Sequence, residues 1–255
     1  MILKNMAVIV LAAGKGTRIN SKKINKVMCP LAGKPMIAYT IELLNKVGFK
    51  KIIIVVGFSK QSIINYLGQD YIYANQKKRL GTAHAAREGF LKIPPGTKNV
   101  MVINADDSAF YPVPIIKRFI KKHINKKADL TFLTVNKEKP DIARVLRSKN
   151  GKILRIVEQQ NLKPAEGKIK EINCGTYCFS IDFLKKFLSK VRKNPVSKEY
   201  YITELIEIGI VNRAKVQAFK MPKEDYFQSV NTKEQLKNID LKMKKKLGAK
   251  IKRIP

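Results

Sequence analysis

Leu11-Ala12-Ala13-Gly14-Lys15-Gly16-Thr17-Arg18 places small residues, two glycines and two cations in one uninterrupted stretch. Small residues let backbone N–H groups reach a base or phosphates, where a larger side chain would block the approach. Lys15 and Arg18 supply the positive charge a triphosphate requires. The spacing is neither the GxGxxG of dinucleotide-binding turns nor the GxxxxGK[ST] of P-loops. A lone Gly-x-Gly would read as an ordinary tight βα turn. The octet followed by Lys26, within Asn25-Lys26-Val27-Met28, tips the reading towards phosphate binding.

Further along, Asp106 and Asp107 stand shortly after the apolar run that ends at Ile103. Acids in this place are either turn formers or cation ligands, and the end of a strand favours the second role for one of them. No Ser/His/Asp or Cys/His set suggests a covalent nucleophile. Cys29, Cys174 and Cys178 are too few and too irregular for a disulfide framework, and two His are too few for a zinc site. Reduced, partly buried thiols are expected.

These residues need a scaffold, and the hydrophobic pattern supplies one. Residues 6–11, 51–56, 71–74 and 99–103 read as buried strands. Between them, helices are expected from Pro35 to a stop at Gly48, after a capping Ser59, over 82–91 and over 112–124. Strands alternating with helices predict an α/β fold, a Rossmann-like doubly wound, mixed but mostly parallel sheet. In such sheets ligands bind beyond the carboxyl ends of the strands, which is where the octet lies. The second half differs. Residues 130–135, 144–148, 153–158 and 172–180 read as extra, more antiparallel strands on the same sheet. Helices from Ile181 and over 200–211, a strand over 215–219 and a helix from Thr232 follow. Beyond Leu236 the chain is lysine-heavy and reads as a solvated helix that frays. No repeat of the β-helix type is visible.

Bulk properties set limits. The 255 residues carry a net charge of +33, yet hydrophobic residues still make up 45%, enough for a full core. No apolar run is long enough to span a membrane, and residues 1–10 lack a cleavage pattern, so no membrane role and a cytoplasmic location are expected. The basic excess is nearly all lysine and is spread along the chain. Nucleic-acid readers lean instead on arginine and aromatics, so a dedicated nucleic-acid partner is not expected. Oligomeric state stays open.

The octet, together with Lys26, is similar to the signature of the sugar-1-phosphate nucleotidyltransferases. Its Leu-Ala-Ala-Gly opening most resembles the N-acetylglucosamine-1-phosphate uridylyltransferase members. Further blocks follow in order. Gln76 and Leu80-Gly81-Thr82-Ala83-His84 resemble the family's uracil-binding segment. Asn104-Ala105-Asp106 resembles its metal-binding stretch, and Glu158 and Asn173-Cys174-Gly175 resemble sugar contacts. Glu199-Tyr200-Tyr201-Ile202-Thr203 and Val230-Asn231 complete the set.

The resemblance implies attack by a sugar 1-phosphate on the α-phosphorus of an NTP, with release of pyrophosphate. It gives Arg18 the leaving pyrophosphate and Lys26 the phosphate the two substrates come to share. Leu11, Ala12, Ala13, Gly14, Lys15, Gly16, Thr17, Gln76, Gly81 and Thr82 would bind the nucleotide. Ala143, Glu158 and Asn173 would bind the sugar, and Asp106 and Asn231 would hold Mg²⁺. A nucleotidyltransferase domain over 1–236 is implied, with a nucleotide-binding half (1–127) and a sugar-binding half (128–236), followed by a basic tail (237–255). The small-molecule substrates expected are UTP and N-acetylglucosamine 1-phosphate. Thymidylyl, uridylyl or cytidylyl transfer to another sugar phosphate, or a non-catalytic binding role, are the alternatives.

Three departures from the family pattern bear on these expectations. Asn25 stands where Pro precedes the lysine, which should loosen the backbone there. Ala105 replaces a Gly before the Asp, and Ile142-Ala143-Arg144 replaces a Tyr-Gly-Arg turn. Ala143 is expected to narrow the pocket for the sugar's acylamino group or to shift sugar preference. The acetyltransferase β-helix of bifunctional members is missing from the chain.

Overall fold

The computed structural model describes residues 3–16, 24–138 and 142–251. Its first strand, β1 (Met6–Ala12), is buried at every position. It lies between β4 (Ile52–Val56) and β6 (Asn99–Asn104), parallel to both. A strand covered on both faces needs apolar side chains in both directions. Accordingly Met6, Val8 and Val10 enter one core layer, and Ala7, Ile9 and Leu11 the other.

The first layer is closed by α1 (Met36–Val47), α2 (Lys60–Leu67) and α4 (Val113–Asn125), through residues such as Ile37, Ile41, Ile63, Ile116 and Phe119. The second is closed by α3 (Thr82–Phe90), α5 (Ile181–Phe187) and α6 (Glu204–Val211), through Ala83, Ala86, Phe183 and Leu205. α3 packs so tightly that a Cβ on Gly89 would stand 2.5 Å from Ile9. Gly48 ends α1 in the left-handed region (φ 107°), as its position in the sequence predicts.

Across the sheet the order is β11 (Val216–Lys220), β7 (Leu130–Asn136), β10 (Glu171–Ser180), β6, β1, β4 and β5 (Ile72–Asn75). β10 alone on this path runs against its neighbours. Its first residues therefore lie at the carboxyl edge of the parallel strands. β8 (Arg144–Arg147) pairs with β10, and β9 (Ile153–Val157) with β8, both antiparallel. The mixed, mostly parallel α/β sheet is thus as expected, antiparallel additions included.

The small hairpin of β2 (Pro30–Leu31) and β3 (Lys34–Pro35) precedes α1. It meets the last helix, α7 (Lys233–Ile251), in a third apolar cluster that includes Leu31, Met36, Tyr39, Phe110, Ile239 and Met243. Tyr39 donates to Leu31 O (2.7 Å), and the Ala32 amide donates to Asp240 (2.6 Å). The lysine-heavy segment is therefore not a fully solvated helix. Its Ile239–Met243 stripe is buried, and only the remaining faces carry the lysines. Among the described residues no helix is long and apolar enough to cross a membrane.

Two further local expectations are corrected. Ser59 precedes α2 in the left-handed region (φ 50°) and makes no side-chain cap; instead its carbonyl accepts from the Ser62 hydroxyl (2.7 Å). The helix expected from Tyr200 begins only at Glu204, because the backbone of Tyr200 is bonded to a distant loop.

Candidate active site

At the carboxyl ends of β1 and β6 lies a cleft of about 460 Å³. One wall is the segment from Leu11 to Gly16; the others bring in Lys26, Gln76, Gly81, Thr82 and Asp106. Thr17 and Arg18 lie outside the described residues.

The short 3-10 turn Lys26–Met28 presents Lys26 to this cleft. Gly16, at φ 65°, passes over the lysine so closely that a Cβ there would meet Lys26 Cβ at 2.5 Å. No L side chain fits that approach. Lys26 Nζ is paired with the Asp106 carboxylate and donates to Asn231 Oδ1 (3.4 Å). Asn231 in turn is held by the start of α7. Gln235 Oε1 accepts from the amides of Asn231 (2.7 Å) and Thr232 (3.2 Å), while Thr232 Oγ1 accepts from the Gln235 amide (3.1 Å). This reciprocal capping box fixes the residue just outside the helix.

Asn25 does not loosen the loop. It is fully buried, and its amide donates to Ala12 O (2.9 Å) and Phe58 O (2.8 Å) while its oxygen accepts from the Val27 amide (3.1 Å). Ala105, in place of the Gly, is also fully buried; its amide reaches Leu11 O (3.2 Å) and its carbonyl accepts from Thr40 (3.0 Å). Behind Asp106, the Asp107 carboxyl is pushed up to about 7, by burial first and by the Asp106 charge second. Lys26, Asn104 and Ser229 act in the opposite direction.

The other end of the cleft is built by a clasp. The Tyr200 amide donates to Leu80 O (2.8 Å), the Ala83 amide donates to Tyr200 O (2.9 Å), and the Ile202 amide donates to Thr82 Oγ1 (2.9 Å). Gly81 adopts φ 100°, and a Cβ on it would stand 2.5 Å from Tyr200 O. Gln76, nearly buried, donates to Gly81 O (3.1 Å) and lies 3.0 Å from His84 Nδ1. Thr82 therefore holds the loop through its hydroxyl and is itself part of the cleft lining.

Ala143, Glu158 and Asn173 do not line this cleft; strand pairing and the Asn173–Ala143 backbone bond bring them beside one another. The Asn173 amide donates to Ala143 O (3.1 Å), and its side chain donates to the Tyr177 hydroxyl (2.6 Å). Asn173 Oδ1 has no partner among the described residues, although the residue is only 6% exposed. Glu158 accepts from Thr203 (2.6 Å) and, with Tyr201, lines an adjoining cavity of about 720 Å³. Burial raises its carboxyl pKa, Thr203 opposes that, and the Glu199 charge adds to it. β10 ties this group to the acidic end of the cleft. Its register shifts between Asn173 and Tyr177, and Gly175 (φ 62°) brings its Cα so close to Asn104 that a Cβ would lie 2.3 Å from Nδ2.

Residues to which the sequence reading gave no role also belong to the site by position. Arg79 and Glu199 line the cleft, and Asn25 lies beneath it. Arg79 and Lys15 also share the Phe58 ring, at 6.0 and 5.3 Å from its centroid. The only signal available was position: each of Phe58 and Arg79 follows a parallel strand.

Asp106 and Asn231 fit a hard divalent cation. Both present oxygen atoms to one positively charged atom, Lys26 Nζ, from different elements. Among the described residues no group of three or more His, Cys, Asp or Glu forms a protein-only cage. A two-ligand site suits Mg²⁺, which keeps waters and takes phosphate oxygens for the rest.

Solved structures share the fold. A structure described as a glucose-1-phosphate thymidylyltransferase from Bacillus anthracis, in complex with sucrose, superposes with TM-score 0.76 at 21% identity over 94% of this chain and 95% of that one. A UDP-glucose pyrophosphorylase complexed with UDP-glucose gives 0.77 at 20%, over 94% and 99%. Among curated proteins, the bifunctional protein GlmU of Geobacillus thermodenitrificans is 34% identical over 88% of this chain and 48% of its own length. That of Enterococcus faecalis is 33% identical over 96% and 54%. The chain spans about half the length of these curated relatives. The nucleotidyl transferase family profile matches residues 7–239, nearly the whole described fold. The chain belongs to the nucleotidyl transferase family.

Proposed function

We propose that the protein transfers a uridylyl group from UTP to N-acetylglucosamine 1-phosphate, giving UDP-N-acetylglucosamine and pyrophosphate. The observation that carries this reading is the meeting of Lys26 Nζ with Asp106 and Asn231 at the mouth of a glycine-walled cleft. The attacking sugar phosphate is already an anion, so no general base is required. What the reaction needs is cations placed where two polyanions meet.

In this reading Lys26 leaves its resting partners for the phosphate the substrates come to share, and Arg18 takes the pyrophosphate. Mg²⁺, held by Asp106 and Asn231, supplies charge neutralisation at the triphosphate. The backbone from Leu11 to Gly16, with Thr17, Gly81 and Thr82, holds the nucleotide against Gln76. Ala143, Glu158 and Asn173 receive the sugar, the free Asn173 Oδ1 being the acceptor for a ligand N–H or O–H. Residues 1–127 act as the nucleotide half and 128–236 as the sugar half. A cytoplasmic setting goes with the supply of UTP.

A second reading is favoured by one observation. Ala143 is buried and carries a methyl group where the family pattern has a glycine, which suits a smaller substituent, as in glucose 1-phosphate with UTP or dTTP. Pyrophosphate release, measured with Mg²⁺ over a grid of UTP, dTTP and CTP against N-acetylglucosamine, glucose and other hexose 1-phosphates, separates the two. The highest kcat/KM is expected for UTP with N-acetylglucosamine 1-phosphate. No release from any pair would remove the enzymatic reading.

A further inference from the structure

We infer that Asn25 is a positioning residue that holds Lys26 and the phosphate-facing cations in one frame; the functional part of this inference rests on the reaction proposed above. Its carboxamide is fully buried and spends both N–H bonds on carbonyls from two different strand ends, Ala12 at the end of β1 and Phe58 just after β4. Its oxygen caps the 3-10 turn that starts at Lys26. All of these partners are backbone atoms, so the side chain reads geometry and carries no charge into the site.

Two neighbours give that geometry a chemical meaning. The lysine stem lies directly beneath Gly16, with no space for even a methyl group between them. Phe58, whose carbonyl Asn25 holds, carries Lys15 and Arg79 over its ring. One amide thus sets the distances among Lys26, Lys15 and Arg79. Removing the amide lets the Lys26 turn shift relative to β1. A displacement of about 1 Å at a reacting phosphate lowers turnover about 100-fold without weakening ground-state binding to the same degree.

The test compares the full-length wild type with Asn25→Ala and Asn25→Ser, the serine hydroxyl being able to keep the cap on the Val27 amide. Three quantities are measured: kcat and KM on the best substrate pair, the melting temperature, and the rate at which an amine-acylating reagent modifies Lys26 without substrate, read by peptide mass spectrometry. Asn25→Ala is expected to lose about 10- to 100-fold in kcat with KM for UTP changed less than about threefold, and to acylate Lys26 several-fold faster. Asn25→Ser should fall between the two in both, and it serves alone if the alanine variant does not fold. Unchanged kcat, or unchanged Lys26 acylation, in a folded variant overturns the inference. A wild type that releases no pyrophosphate from any pair removes the reaction instead, and the acylation rates then decide by themselves whether Asn25 holds Lys26.

Discussion

Lys26 touches an acid from the β6 end and an amide from the start of α7, and its stem lies under the β1 loop. What this side chain supplies to the cleft is charge rather than buried apolar volume. Lys26→Ala is therefore expected to lower kcat by about 100- to 1,000-fold, the usual effect of removing one preorganised charge-stabilising group. The melting temperature should stay within a few degrees, and steady-state kinetics beside thermal unfolding checks both. Gly81→Ala is expected to act in the opposite sense. Its φ of 100° and the 2.5 Å approach to Tyr200 O strain any L residue, so urea unfolding should show a loss of more than about 1 kcal/mol, with a raised KM for UTP. Part of this site was legible in the sequence, because Gly16, Lys26 and Asp106 stand out by type and by following strands, whereas Gln76 and Gly81 were read only from the family resemblance. Asn25 was misread because its partners, Ala12 and Phe58, become neighbours only when β1 and β4 pair. Arg79 was missed for the same reason, since Phe58 lies on another loop.

At the scale of elements, strand and helix order followed from hydrophobic period and from Gly and Pro punctuation, and most ends fell within a residue or two. The errors fell where tertiary bonds override local preference. Tyr200 to Thr203 has a helix-compatible pattern, but the clasp to Leu80, Thr82 and Ala83 claims its backbone groups. α7 shows the converse, a lysine-rich segment whose sparse apolar residues nonetheless form one buried stripe. Met243→Ala should cost about 2–4 kcal/mol in chemical denaturation, because the side chain is 1% exposed in that cluster. Gln235→Ala probes the link from helix to site. It should cost only about 1 kcal/mol, as caps do, yet raise several-fold the Mg²⁺ concentration for half-maximal activity, since the Asn231 amide loses its acceptor. An unchanged Mg²⁺ requirement would detach α7 from the metal-binding role given to Asn231.

Over the whole molecule, one buried group ties stability to acidity. His123 is fully buried between Thr131 Oγ1 (2.9 Å) and Asn99 Oδ1 (3.1 Å), and burial lowers its pKa to about 4, against a smaller opposing pull from Asp129. The unfolded chain takes up this proton near pH 6.5, so the folded state is favoured fully above that value. The contribution, about 3 kcal/mol, is lost as pH falls from about 6.5 to about 4. The raised Asp107 carboxyl acts in the opposite sense over this range, so the His123 share is read as a difference: His123→Gln should gain in urea midpoint relative to the wild type on going from pH 7 to 4.5. The net charge of +33 offered no comparable reading, being nearly all lysine spread along the chain. The position of β10 has a last consequence, in the order of assembly. A chain growing from its amino terminus completes β6 and β7 before β10 exists, yet those two strands never touch; each keeps a bare edge until residues 171–180 slide between them. The sheet is thus locked from its middle, late and in one step, and a ribosome-released fragment ending near residue 127 should expose the β6 edge and precipitate rather than fold as half an enzyme.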